Sequence, residues 1–276
     1  SQLRKVLEKK SDFGRNKTGE GKKALVEFVS ANPTGPLTVG HGRGAILGDV
    51  ISNILEWNGY DVEREYYYNN AGRQMQKLGE SVKSRYLELL GEDTEFPEDG
   101  YEGEYIIDIA RKLEETDGEA LIDSSDIYPF KNAAEENIFQ NIEATLNRIG
   151  LKFDNFFNEN TLYESGAIDS VVKALREKGL VYEKEGATWF KATKAGRDQD
   201  RVIIKSSGEP TYRLPDIAYH RDKFERGFDF MVDILGADHM DAYPDVLAGI
   251  EQLGFNTNKV KVLIHQFVTL MEKDEP

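Results

Sequence analysis

Ser30-Ala31-Asn32-Pro33-Thr34-Gly35-Pro36-Leu37-Thr38-Val39-Gly40-His41-Gly42-Arg43 lies between an apolar run, Ala24 to Val29, and a periodic apolar set at Leu47, Val50, Ile51, Ile54 and Leu55. The run predicts a buried strand and the set an amphipathic helix. The stretch between them is therefore a tight glycine- and proline-rich turn from strand into helix. The predicted helix begins near Gly40 or His41. Its first turn leaves backbone N–H groups unpaired and carries the positive dipole end, which attracts phosphate. Glycines at 40, 42 and 44 let a ligand approach the backbone closely. Spacing alone also admits a plainer reading, a close-packed helix start with His41 as a cap or core histidine. The pattern is not the dinucleotide fingerprint, and no acidic residue stands where a ribose partner is expected.

Taken whole, Ser30 to Arg43 resembles the first signature of class I aminoacyl-tRNA synthetases, His-x-Gly-His. Its opening, Ser-Ala-Asn-Pro-Thr-Gly-Pro, is similar to the arginyl-tRNA synthetase family in particular. Thr38 stands where that family usually has the first histidine; a hydroxyl donates to phosphate but carries no charge. The resemblance covers roughly residues 11–276. It implies an α/β fold, a Rossmann-like parallel sheet of the HUP type, with a largely helical insertion over about 75–200 between its halves. It also implies that residues 1–23 are a linker from an N-terminal domain and that 24–276 are the class I catalytic domain. The family's second signature, Lys-Met-Ser-Lys, is not in the sequence, and Lys273 is no substitute. The expectation is a catalytic-domain fragment without that loop or the anticodon-binding domain, binding ATP or arginine weakly and aminoacylating poorly.

A chain of 276 residues has ample length for one large domain or two modest ones. It has no cysteine, which excludes disulfides and thiolate metal sites and leads us to expect a reducing, cytoplasmic setting. No stretch approaches the ~20 apolar residues that span a membrane. The net charge of −15 argues superficially against a nucleic-acid partner. Residues 91–126, with 14 acidic and 2 basic side chains, hold −12 of it, leaving −3 on the other 240 residues. Phosphate contact depends on local basic patches, so overall acidity does not decide the matter. The acidic run is most simply a solvated face.

Along the chain, Ser11 to Lys23 reads as a linker or a frayed terminus. Tyr60 to Tyr68 predicts a second parallel strand, completing a right-handed βαβ unit. Tyr66, Tyr67 and Tyr68 have the chemistry to stack on bases, though such tyrosines more often are half-buried strand residues. Gln74 to Leu90, Tyr101 to Glu115 and Phe130 to Ile149 show helical spacing. Ser165 is expected to cap a helix over Ile168 to Lys178 that Gly179 ends. Leu180 to Glu183 and Ala187 to Lys191 predict a hairpin. Val202 to Lys205 predicts a strand, followed by a turn and a helix entry at Thr211-Tyr212. Phe230 to Leu235 and Val260 to Ile264 predict parallel strands on either side of a helix over Asp241 to Leu253.

In an open parallel sheet, ligands sit at the carboxyl ends of strands, where the topology reverses. The turns at 30–43 and 236–239 and the strand tail at 264–268 should converge there. The resemblance gives these residues roles. Thr38, Gly40 and His41 serve the phosphates and the chemistry. Gly236 and Asp238 hold the adenosine, whose base faces the backbone near Val268. Asn32 resembles the residue holding the α-amino and carboxylate end of arginine, with His239 nearby. Tyr212, Asp216 and Glu159 match the group that brackets the guanidinium. That chemistry is apt, since a planar permanent cation with five donors needs carboxylates when buried. Tyr212 and Asp216, four apart, are expected to share a helix face. Singly, each acid has a plainer role: Asp216 favourable to a helix dipole, Glu159 solvated, Asp238 a cap. The partners implied are L-arginine, ATP with Mg²⁺ carried on the nucleotide, and arginine tRNA, for a monomer without a protein metal site. Two rival readings stay open, a tRNA-independent amino-acid adenylating ligase and a non-catalytic amino-acid-binding paralogue.

Overall fold

The computed structural model describes residues 2–269 and Met271; Lys273 lies outside them. In chain order the elements are α1 (Gln2–Lys9), β1 (Lys23–Glu27), α2 (Val39–Trp57), β2 (Asp61–Tyr68), α3 (Gly72–Leu89), α4 (Glu104–Asp117), α5 (Tyr128–Arg148), β3 (Asn155–Asn158), α6 (Asn160–Glu164), α7 (Ala167–Glu177), β4 (Val181–Lys184), β5 (Ala187–Phe190), β6 (Arg201–Ile204), α8 (Arg213–Glu225), β7 (Phe230–Gly236), α9 (Tyr243–Leu253) and β8 (Val260–His265). They fall into two compact units. One holds residues 1–30, 39–67 and 153–276; the other holds 31–38 and 68–152.

The first unit carries a five-stranded sheet in the order β3-β2-β1-β7-β8. The β1–β2, β1–β7 and β7–β8 pairs are parallel. The chain leaves β1 towards β2 on one side and returns as β7 on the other, so the topology switches between β1 and β7. A second, antiparallel sheet, β4-β5-β6, begins with the expected hairpin. Glu185 and Gly186 form its turn with φ of +54° and +76°. The apolar core beside it draws Val171 and Leu175 from α7, Phe190 from β5, and Leu214 and Ile217 from α8. Helix α1 buries nothing; Leu3 and Leu7 lie on its exposed surface.

Two local expectations fail. The apolar set on α2 is not its buried face: Val50 and Ile54 are exposed, and Leu47, Ile51 and Leu55 are only half-buried. The buried positions are Gly44, Ala45, Gly48 and Ser52. The reason is closeness. A Cβ at Gly48 would lie 2.0 Å from the Phe28 ring, so this face admits only small residues. Nor does Ser165 cap α7. Gly166 occupies that position at φ +72°, with no side-chain cap, and Ser165 instead closes α6.

Helix α8 is fastened to the sheet by charge. Glu65, Glu27 and Asp233 are cross-strand neighbours on β2, β1 and β7, and all three are buried. Lys223 of α8, with no solvent exposure, reaches Glu27 at 2.5 Å and Asp233 at 2.7 Å. Arg226 holds Glu65 with two bonds, at 2.6 and 2.7 Å, and Tyr219 donates to the same carboxylate at 2.6 Å. Burial pushes Asp233 up, but Lys223 and His220 outweigh it and hold this acid well below the carboxylate range. Burial likewise pulls Lys223 down, and Asp233 and Glu27 more than reverse the shift.

The second unit is helical. Helices α3, α4 and α5 pack around residues that include Leu78, Val82, Ile106, Ile109, Phe130 and Ile142. Tyr68 meets Phe139 edge-on, and the Tyr105 hydroxyl donates to the Thr34 carbonyl at 2.8 Å. No helix among the described residues is long and apolar enough to cross a membrane.

Lys223→Met should destabilise the fold by about 3–5 kcal/mol in urea unfolding, because it strands two buried carboxylates. Adding Glu27→Gln and Asp233→Asn should restore much of that loss; no recovery would mean that the ammonium acts by packing rather than by charge.

Candidate functional site

The carboxyl ends of β1, β7 and β8 lie side by side, as parallel pairing requires. Where the chain leaves β1, Val29 and Ser30 adopt φ of +68° and +46°. A β-branched residue in the left-handed region costs on the order of 1–3 kcal/mol and is held only by its surroundings. Ser30 supplies the hold: its hydroxyl donates to Glu27 at 3.0 Å and accepts the Tyr67 N–H at 3.1 Å.

Asp216, in the first turn of α8, gathers the acidic part of the site. Tyr67, Tyr163 and Glu159 all lie within its electrostatic reach. The Tyr67 hydroxyl donates to Glu159 at 2.6 Å, and that of Tyr163 reaches it at 3.5 Å. Burial raises the Glu159 carboxyl, against these two hydroxyl bonds. Asp216 retains a little solvent contact at the surface of a dense environment. Burial is the main reason that its carboxyl is pushed up to about 6; Glu27 and Glu159 add to the shift, and His220 and His239 oppose it. Among the described residues no lysine or arginine forms an ion pair with Asp216. The contrast with the row beneath it is direct: those acids have cations of their own.

His220 ties the two layers together. Its Nδ1 lies 2.7 Å from the Asp216 carbonyl, which only accepts, so that nitrogen carries a hydrogen. Its Nε2 lies 3.0 Å from Asp233 and 3.1 Å from the Tyr243 hydroxyl. Tyr243 also donates to Asp233.

On the nucleotide side, His41 sits in the first turn of α2. Burial, then the neighbouring His265, lowers its pKa. Asp238 is largely exposed in the turn after β7, 3.6 Å from the exposed His239. The acids and imidazoles here suit ribose hydroxyls and phosphates, whereas no group of three or more His, Asp or Glu that could hold a metal ion occurs among the described residues. Val268 follows β8 and is half-buried. The structure thus brings Glu159 and Asp216 within electrostatic reach of each other, and separately places Gly40 and His41 in the first turn of α2 and Gly236 and Asp238 at the end of β7. Tyr212 stands apart. It is 61% exposed, and its ring lies 4.8 Å from the Arg213 guanidinium beside a cleft of about 810 Å³ shared with Trp189, Arg197 and Lys205. Thr38 and Asn32 belong to the helical unit, where the Asn32 side chain accepts the Asn69 N–H at 2.9 Å and donates to Gln74 at 3.4 Å.

Residues 2–276 match the family model described as tRNA synthetases class I (R), catalytic domain. The chain belongs to this family. It is 62% identical over 268 residues to an arginine–tRNA ligase of Desulfotalea psychrophila, covering 97% of this chain and 49% of that one. It is 52% identical over 290 residues to that of Salinibacter ruber, covering 99% and 52%. The chain therefore spans about half the length of these curated relatives. A crystal structure of a Campylobacter jejuni protein assigned as an arginyl-tRNA synthetase superposes with a TM-score of 0.90 at 36% identity, covering 100% of this chain and 61% of that one. The arginyl-tRNA synthetase of Thermus thermophilus shares the fold, with a TM-score of 0.69 at 20% identity over 95% of this chain and 51% of that one.

Sequence reasoning assigns no site role to Tyr163, His220 or His265, and weighs Tyr67 only as a base-stacking or half-buried strand residue. Tyr163 had a signal, since it is four residues after Glu159 at the start of a helix. Tyr67 was hidden in a run of three tyrosines whose strand reading was correct, and a hydroxyl on one face of a strand leaves no mark on periodicity.

A carboxyl raised by folding is a liability above its unfolded pKa. Its cost is absent near pH 4, grows towards pH 6 and is constant beyond. Asp216→Asn should therefore stabilise the protein at pH 7 by on the order of 1–3 kcal/mol, the gain shrinking as pH falls to about 4. Lower stability of the variant at pH 7 would contradict this.

Proposed function

We propose that this chain is the catalytic domain of an arginine–tRNA ligase, activating arginine with ATP and transferring it to the 3′ end of arginine tRNA. The observation that carries the reading is the Glu159–Asp216 pair, two raised carboxyls in a class I (R) domain whose deeper acids are already neutralised. A guanidinium is the complement: a permanent, planar cation that favours the ionised form of both acids.

In the first step an oxygen of the arginine carboxylate bonds to the α-phosphorus of ATP, and the bridging bond to the β-phosphate breaks. Arginyl-adenylate and pyrophosphate result. In the second, a ribose hydroxyl at the tRNA end attacks the mixed anhydride and releases AMP. Neither step requires a covalent link to the protein; positioning and charge stabilisation suffice. Asp216 and Glu159 orient the side chain, with Tyr67 and Tyr163 steering the Glu159 oxygens. Asp238 accepts from the ribose, and Gly40, His41, Gly236 and the backbone at Val268 serve the phosphates and the base. Mg²⁺ neutralises phosphate charge and comes with the nucleotide. Roles for Asn32, Thr38, Tyr212 and His239 rest on the family resemblance, as does a monomeric state; a cytoplasmic setting rests on the absence of cysteine as well.

Calorimetry should show arginine binding and its neutral isostere citrulline binding far more weakly. Asp216→Ala should cost arginine about 2–5 kcal/mol, as for truncating one member of a buried charge pair. Because arginine takes the ionised form of Asp216, its affinity should rise between about pH 5 and pH 7 and then level off. Equal affinities for arginine and citrulline would overturn the reading.

A further inference from the structure

We infer that His265 is a second phosphate-facing imidazole of the nucleotide site, acting beside His41 on the triphosphate of ATP. The inference rests on the adenylation reading above and adds a residue to it.

His265 ends β8, and its register partner on β7 is Gly236. It is therefore the neighbour, across one strand spacing, of the turn that carries Asp238. On its other side it faces α2. A Cβ placed on Gly44 would come 3.3 Å from the His265 Nε2. Gly44 is one helical turn beyond His41, and the charge of His265 is felt at His41. A third tie comes from Arg43, whose guanidinium donates to the Gln266 carbonyl at 3.1 Å. The ring thus lies between α2 and the end of β7, the two segments proposed above to hold the nucleotide.

Its orientation has a chemical consequence. Nδ1 lies 3.3 Å from the Gln266 carbonyl, an acceptor only, so the hydrogen of the neutral ring belongs on Nδ1. Nε2, turned towards the start of α2, then takes up a proton when an anion arrives and becomes a donor. The other charged or titratable groups on the elements that meet it are His41, Arg43, Asp49 and Glu56 on α2, Asp233 on β7, and Asp238 and His239 on the turn after β7; of these His41, Arg43, Asp238 and His239 stand at its end of the sheet. Two imidazoles so placed repel each other's protons in the free protein. A polyphosphate reverses that, because both can then be cations against one polyanion.

With only four histidines in the chain, the ring resonances can be followed individually by NMR. Adding ATP should shift the His41 and His265 resonances together, whereas adenosine, which lacks phosphates, should leave His265 unmoved. His265→Asn should weaken ATP about tenfold, as for loss of one charge-assisted hydrogen bond, and leave adenosine affinity unchanged. In the free variant, His41 should titrate at higher pH. ATP that binds and moves His41 while His265 stays still, or a His265→Asn variant with undiminished ATP affinity, would overturn the inference and leave the adenylation reading standing. Absence of ATP binding altogether would overturn both.

Discussion

An ammonium group with no access to water sits between two carboxylates under the first unit's sheet. Lys223, Glu27 and Asp233 form a contact that neither side can abandon, since any one of them alone would be a buried charge. The bidentate Arg226–Glu65 contact repeats the device one strand away. Helix α8 is therefore fixed against β1, β2 and β7 in position as well as in contact. Apolar packing alone would tolerate small slides of a helix across a sheet. Three carboxylates in one cross-strand row do not, because each accepts a particular cation.

That fixed helix carries Asp216 near its start. His220, one turn on, passes the constraint from Asp233 to the Asp216 carbonyl. Acids then lie in two groups: a deeper layer on the sheet, Glu27, Glu65 and Asp233, and a second group, Asp216 and Glu159, at the starts of α8 and α6. The deeper layer is neutralised by the chain's own cations. In the second group the Tyr67 and Tyr163 hydroxyls bond Glu159, and burial raises the carboxyls of both Glu159 and Asp216. The proposed binding of a guanidinium rests on these two raised carboxyls.

Much of this was readable from residues. The strand before Ser30, the glycine-rich entry into α2 and the later apolar strands set the parallel sheet, because period and turn chemistry agreed at each. The helices of the second unit and the β4–β5 hairpin followed for the same reason. The packing face of α2 was not readable. Period marks apolar residues, and here the helix comes so close to Phe28 that glycine, alanine and serine take the buried positions. The charge row escaped too. Glu27, Glu65 and Asp233 lie far apart in sequence, and nothing local says that they share one row or that Lys223 meets it. A lone acid inside the apolar run Ala24 to Val29 was the available hint. Asp216 and Glu159 were reached through resemblance, while their tyrosine partners needed the fold.

The proposal turns on Asp216, with which no lysine or arginine among the described residues forms an ion pair. Carbon-13 NMR of its side-chain carboxyl, titrated with and without arginine, tests this most directly. The account predicts a midpoint near pH 6 in the free protein and a clear fall when arginine is bound. A carboxyl already ionised at pH 5 and indifferent to arginine would contradict it.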